Sequence, residues 1–126
     1  MEIDKEELSK LIRHNLRWCP YGPRICHKVL DCFVVGSVAK GCATAESDLD
    51  IALVIAPVKG KTAIEYTEQY YNRWETLAIA NGIEAAEKSK PHFNGLPLDF
   101  QFFYSEPGKG GQSDMLPDNY SKIEVF

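Results

Sequence analysis

Residues 33–55 read FVVGSVAKGCATAESDLDIALVI. The apolar run from Cys32 through Val35 stops at Gly36, the pattern of a short buried strand. Residues 37–47 are small and polar and read as a loop with room for one helical turn. Asp48 through Ile55 restores the apolar character as a second strand, which Pro57 and Gly60 stop. Strand alternation puts Asp48 and Asp50 on one face and Leu49, Ile51 and Leu53 on the other.

Helices flank this pair of strands. Upstream, Asp4 can cap a helix, with Glu7 three residues on and Ile3 placed to staple onto Leu8. Leu8, Leu11, Ile12 and Leu16 then recur at helical spacing. Pro20, Gly22 and Pro23 end that helix, and Pro23 suits the first turn of a short second one running through Leu30, with Ile25, Cys26, Val29 and Leu30 inward. Downstream, Thr62 and Glu65 form a capping box for a long helix to about Asn81, with Gly82 as its stop. Its expected inward stripe is Ile64, Tyr71, Trp74, Leu77 and Ala78. A turn at Asn94-Gly95 precedes a third strand from Leu96 to Tyr104. From Ser105 the chain reads as a loop-rich tail, with Ile123, Val125 and Phe126 available for a last edge strand. Helices alternate with strands, which predicts one α/β (α+β) domain over residues 1–126, its core at about 30–104 and its tail at 105–126.

Composition narrows the function classes. A chain of 126 residues allows one domain with a real core. Fourteen Lys and Arg against 18 Asp and Glu give a net charge of −4, which disfavours charge-driven binding to nucleic acid. No apolar run approaches a membrane span, and the acidic start MEIDKEELSK does not resemble a secretory signal, so a cytoplasmic protein is expected. Cys19, Cys26, Cys32 and Cys42 are then expected as free thiols, and their spacing lacks the paired ligands of a zinc ribbon.

Three devices carry chemistry. Gly36 lets backbone approach a ligand closely, Ser37 adds a hydroxyl, and a helical turn from Ser37 to Lys40 would aim free N–H groups at an anion such as phosphate, with Lys40 supplying positive charge. A polar connection between strands explains the same string equally well. Asp48 and Asp50, side by side at a strand start, repel each other unless a divalent cation sits between them; acids that blunt a solvated strand end are the plain alternative. In Leu98-Asp99-Phe100-Gln101-Phe102 the alternation isolates Asp99 and Gln101 on one face of an aromatic strand. If that strand lies beside the Asp48 strand, three carboxylates share one sheet face and can clamp two divalent ions for phosphoryl transfer; otherwise Asp99 is an edge acid facing water.

Gly36-Ser37-x-Ala39-Lys40-Gly41, then Ser47-Asp48-Leu49-Asp50 and the later apolar-Asp99-apolar strand, resemble the DNA polymerase beta-like nucleotidyltransferase superfamily, most closely its minimal single-domain members. The resemblance covers most of residues 30–104. It implies a small mixed β-sheet with helices packed on one face, and transfer of a nucleoside monophosphate, AMP in the first instance, from an NTP to a hydroxyl of a protein or small molecule with release of pyrophosphate. By position it implies Asp48, Asp50 and Asp99 as metal ligands for two Mg²⁺ ions (or Mn²⁺), with Asp99 also placed to help deprotonate the acceptor. Gly36 and Ser37 would hold the triphosphate, with Lys40 and Ser47 at the same nucleotide site. Lys40 departs from the Arg of many small members, which removes a bidentate phosphate contact. Minimal members act with a helical partner as toxin–antitoxin pairs, so a helical protein partner or a second copy is expected to complete the cleft.

The competing reading is a non-catalytic or weakly catalytic partner-binding module of the same fold, antitoxin-like in its role. A binder of single-stranded nucleic acid fits the acidic charge poorly. Tyr66, Tyr70, Tyr71 and Trp74 read as packing, His14, His27 and His92 stand beside no nucleophile, and Lys109 in its Gly-rich run lacks the context of a P-loop.

Overall fold

A computed structural model of the chain describes residues 3–18, 28–80 and 92–126. Helix α1, Lys5–Trp18, starts where Asp4 caps it: Asp4 Oδ1 accepts the N–H groups of Glu6 at 3.1 Å and Glu7 at 3.2 Å. Strand β1, Val29–Val35, leads into the single turn α2, Gly36–Ala39, and strand β2 spans Leu49–Ile55. Helix α3, Ala63–Ala80, follows, then β3, His92–Phe93, and β4, Leu96–Tyr104. A 3-10 turn at Gln112–Asp114 and strand β5, Ile123–Glu124, complete the described elements.

The five strands form one mixed sheet in the order β3-β4-β2-β1-β5. Only the central β2–β4 pair is parallel; β1 pairs antiparallel with both β2 and β5, and β3 with β4. A parallel neighbour needs a long crossover, and α3 lies in the segment that joins β2 to β4. The helices cover one face, where Leu8 and Ile12 of α1 and Ala63 and Tyr70 of α3 pack with Leu49, Ile51, Leu53, Ile55, Leu98, Phe100 and Phe102. On the opposite face a smaller cluster of Val35, Ala52, Val54 and Phe103 is joined by Phe33 and Leu116. Both faces of β2 are therefore covered, and every residue of the strand is buried except half-buried Asp50.

Three local expectations need correction or completion. Val29 and Leu30 are not helical: they open β1, where Val29 pairs with Ile55 and a register shift leaves Leu30 46% exposed. Pairing with a buried strand overrides the local helical pattern there; the start of that expected helix, residues 23–27, lies outside the described residues, as do Asn81 and Gly82. The α3 capping box forms, with Glu65 N–H donating to Thr62 Oγ1 at 3.1 Å and Thr62 N–H to Glu65 Oε2 at 3.0 Å. Its inward stripe, however, begins at Ala63 and continues through Tyr66, Thr67, Tyr70 and Tyr71, so Ile64 is turned outward and 59% exposed. The phase is set by Asp114, whose Oδ1 accepts the Ala63 N–H at 2.9 Å and draws that residue, not Ile64, into the interior. The side chains of Leu16, Trp74, Leu77 and Ala78 lie outside the described residues.

The tail is part of the fold. Asp114 is 2% exposed, and its other oxygen accepts the Gly110 N–H at 2.7 Å. Gly108 and Gly110 lack side chains where Asp114 and the Tyr104 ring stand, so the Gly-rich run is a close-packed turn. Met115 bridges to Tyr104, Leu116 packs on the helix-free face, and β5 pairs with β1 at Phe33 and Val34. Arg13 then lies over the Phe126 ring at 3.9 Å, tying α1 to the last residue. Cys32 and Cys42 are free thiols; Cys32 is buried, and loss of hydration pushes its pKa up to about 12. Cys19 and Cys26 fall outside the described residues. Among the described residues no helix is long and apolar enough to cross a membrane.

Candidate active site

The parallel register sets Asp50 of β2 directly beside Asp99 of β4. Adjacent strands run about 4.8 Å apart, so side chains that leave the same face at matched positions are immediate neighbours. On the other side of β2, Asp50 is matched with Val35, the last residue before Gly36. Asp48 is exposed one residue before β2 and belongs to the same alternating face as Asp50. The acidic end of the sheet is thus built from two strand ends and the Gly36 turn.

Asp50 registers its neighbours electrically. Its pKa is raised above the ordinary 3.8, first by burial and then by the negative charges of Asp99 and Asp48. Gly36 packs against the same carboxylate. Its φ is +69°, and a Cβ built there would overlap Asp50 Oδ2 and stand 3.1 Å from Cγ. Glycine is required on both counts, because only it adopts that backbone freely and only it leaves room for the acid.

The turn after Gly36 is held by its own backbone. Lys40 N–H donates to Gly36 O at 3.1 Å, Gly41 N–H to Val38 O at 3.1 Å, and Cys42 N–H to Ser37 O at 3.0 Å. Ser37 is half-buried there, whereas Lys40 is exposed at the end of α2. Ser47 works within its loop: its hydroxyl accepts the Thr44 N–H at 2.9 Å, and its own N–H donates to Thr44 O at 3.1 Å. That closed 44–47 turn delivers Asp48 to the start of β2.

One contributor is absent from any motif. Tyr71 Oη donates to Asp99 Oδ1 at 2.9 Å and accepts the Phe100 N–H at 2.6 Å. Burial, and secondarily the Asp99 charge, push the phenol pKa well above its usual 10. The only signal for it in the sequence is a pair of hydroxyl-bearing residues, Thr67 and Tyr71, four apart on the inward side of the long helix.

The structure therefore brings Asp48, Asp50, Asp99 and Gly36 to one end of the sheet, followed directly by Ser37, with Lys40 and Ser47 in the flanking loop. The tail meets the same sheet face near its other end. There a groove of about 180 Å³ is lined by Phe33, Val54, Tyr104 and Leu116, with Asp31 and Lys122 also present. Val54 lies four residues beyond Asp50, roughly 13 Å along an extended strand.

Hard carboxylate oxygens are the ligands magnesium and manganese prefer, and Asp50 and Asp99 offer them from adjacent backbone positions, where Asp50 already carries the repulsion of its neighbours. Among the described residues, no group of three or more His, Cys, Asp or Glu side chains stands close enough to hold a metal ion on its own, so a cation here would take its remaining ligands from substrate phosphates and water.

A family model described as Nucleotidyltransferase domain matches residues 23–108, more than half of the 126-residue chain. No curated protein and no solved structure matches the chain.

Proposed function

The chain belongs to the nucleotidyltransferase domain family, and from that premise we propose that it moves a nucleoside monophosphate, AMP from ATP in the first instance, to a hydroxyl of a protein or small molecule. The observation that carries this reading is the in-register pair Asp50 and Asp99 on adjacent parallel strands, with Gly36 held against Asp50. Asp48, Asp50 and Asp99 would hold two Mg²⁺ ions (or Mn²⁺), which when bound neutralise charge developing on the phosphates.

The chain's own groups supply the rest. Gly36, which has no side chain, and Ser37, with its hydroxyl, hold the triphosphate, and exposed Lys40 adds a positive charge at the end of that turn. Asp99, held through Oδ1 by Tyr71, also helps take the proton of the acceptor hydroxyl. The acceptor oxygen bonds to the α-phosphorus as the bond from that phosphorus to the bridging oxygen breaks, and pyrophosphate leaves. Placement of the reacting groups in line is the main service of such a site.

A helical protein partner or a second copy is the proposed remaining wall of the acidic end, in the cytoplasm. Thermal unfolding with each NTP, with and without Mg²⁺ or Mn²⁺, tests the site. A ligand at a hundred times its Kd adds about 2.7 kcal/mol of stability. A metal-dependent rise with one nucleotide, lost in Asp48→Asn, supports the proposal; no rise with any nucleotide counts against it and favours the partner-binding module.

A further inference from the structure

Helix α3 meets β4 through two hydroxyls. Thr67 Oγ1 accepts the Phe102 N–H at 3.0 Å, and Tyr71 Oη accepts the Phe100 N–H at 2.6 Å. Four helical residues rise about 6 Å and two strand residues about 6.6 Å, so successive turns of α3 fall opposite alternate amides of β4. Strand β3 pairs with β4 only at Leu96 and Pro97, so beyond that short hairpin these hydroxyls do the work of a neighbouring strand.

The two contacts differ in where the hydroxyl proton goes. Thr67 donates to Ala63 O at 3.0 Å, inside its own helix. Tyr71 donates to Asp99 Oδ1 at 2.9 Å, across 28 positions of sequence. With its acceptor side occupied by Phe100 N–H, the phenol has its one proton left for the carboxylate. Its ring is fixed as well, packed edge-on to Tyr70 with centroids 5.4 Å apart.

We propose that Tyr71 is the positioning residue of the site: it pins Oδ1 of Asp99 and leaves Oδ2 as the oxygen that would bind a divalent cation shared with Asp50. This rests on the nucleotidyl-transfer reading above for its consequence, though the pinning itself concerns cation binding. A carboxylate free to rotate must be ordered when a cation binds, and a prefixed one has less conformational freedom to lose.

The test pairs Tyr71→Phe with Thr67→Val. Each removes one acceptor of a β4 amide, and only the first removes a donor to an acid. Mn²⁺ affinity in the presence of ATP is read by electron paramagnetic resonance, with thermal unfolding in chelator as the measure of fold. The expected result is a loss of stability in both variants and about a tenfold loss of Mn²⁺ affinity in Tyr71→Phe alone, with kcat falling and KM for ATP unchanged. Equal Mn²⁺ affinity in Tyr71→Phe and wild type, or an equal loss in Thr67→Val, overturns the positioning role while leaving the family reading intact. Failure of the wild-type protein to bind Mn²⁺ with ATP overturns both. Should Tyr71→Phe not fold, Mn²⁺ titration of the wild-type protein labelled at tyrosine decides: selective broadening of the Tyr71 ring supports the role, and its absence overturns it.

Discussion

Gly36→Ala is the substitution that bears hardest on the geometry of the acidic end. Two costs follow from the structure. An L-residue held at φ +69° carries about 1–2 kcal/mol of backbone strain. The new Cβ also overlaps Asp50 Oδ2, with Asp50 Cγ 3.1 Å and Cβ 3.3 Å away, and overpacking of this kind costs about 1–3 kcal/mol. Together they amount to roughly 2–5 kcal/mol, or about 8–20 °C in Tm for a domain of this size. A double-mutant cycle separates them, because Asp50→Ala removes the overlap and leaves the strain. Thermal unfolding of wild type, both single variants and Gly36→Ala/Asp50→Ala should give a coupling energy of about 1–3 kcal/mol, the pair being less damaging than the separate effects predict. Transfer activity in Gly36→Ala should fall about a hundredfold or more, as the carboxylate is displaced. Additive effects in the cycle would refute the claim that Gly36 is glycine to make room for the acid.

Asp50 makes a pH prediction whose sign is fixed. Its pKa in the folded protein is raised, so the native state binds the proton more tightly and stability falls as pH rises from about 3.8 through the folded value. In chelator at pH 7, Asp50→Asn should therefore melt above wild type and lose part of that acid-side slope; a lower melting temperature than wild type would contradict it. Asp114 acts in the opposite sense, as a stabiliser remote from the chemistry. Asp114→Ala strips buried amides of Ala63 and Gly110 of their acceptor and should cost about 2–4 kcal/mol in urea unfolding, while Asp114→Ala retaining wild-type stability would show that the tail is dispensable to α3.

The stretch from Gly36 to Asp50 was legible because its chemistry is local: a glycine that ends a strand, a small polar loop and an alternating pair of acids need only neighbouring positions to be read. The Asp4 cap, the Thr62/Glu65 capping box and the Asn94-Gly95 turn were legible for the same reason, and Asn94 at φ 52° with Gly95 at φ 79° closes the β3–β4 hairpin as that dipeptide predicts. Asp99 was legible only as half of a relation. Alternation singles it out, but its place beside Asp50 depends on a parallel register between strands almost fifty residues apart. Tyr71 lay beyond reach, since a tyrosine on the inward side of a helix reads as packing until the strand it touches is known. Leu30 and Ile64 were misread because local periodicity cannot see the Val29–Ile55 pairing or the Asp114 contact that sets the phase of α3.

The most direct measurement is transfer itself. Purified protein is incubated with each NTP labelled at the α-phosphate, Mg²⁺ or Mn²⁺, and a cell lysate as the source of acceptors, and label is followed into protein and small-molecule fractions alongside pyrophosphate release. The account predicts incorporation from one preferred nucleotide, dependent on the metal and abolished by Asp48→Asn and by Asp50→Asn in folded protein. Incorporation that survives in both variants, or a wild-type protein that binds no nucleotide and transfers no label, would contradict it.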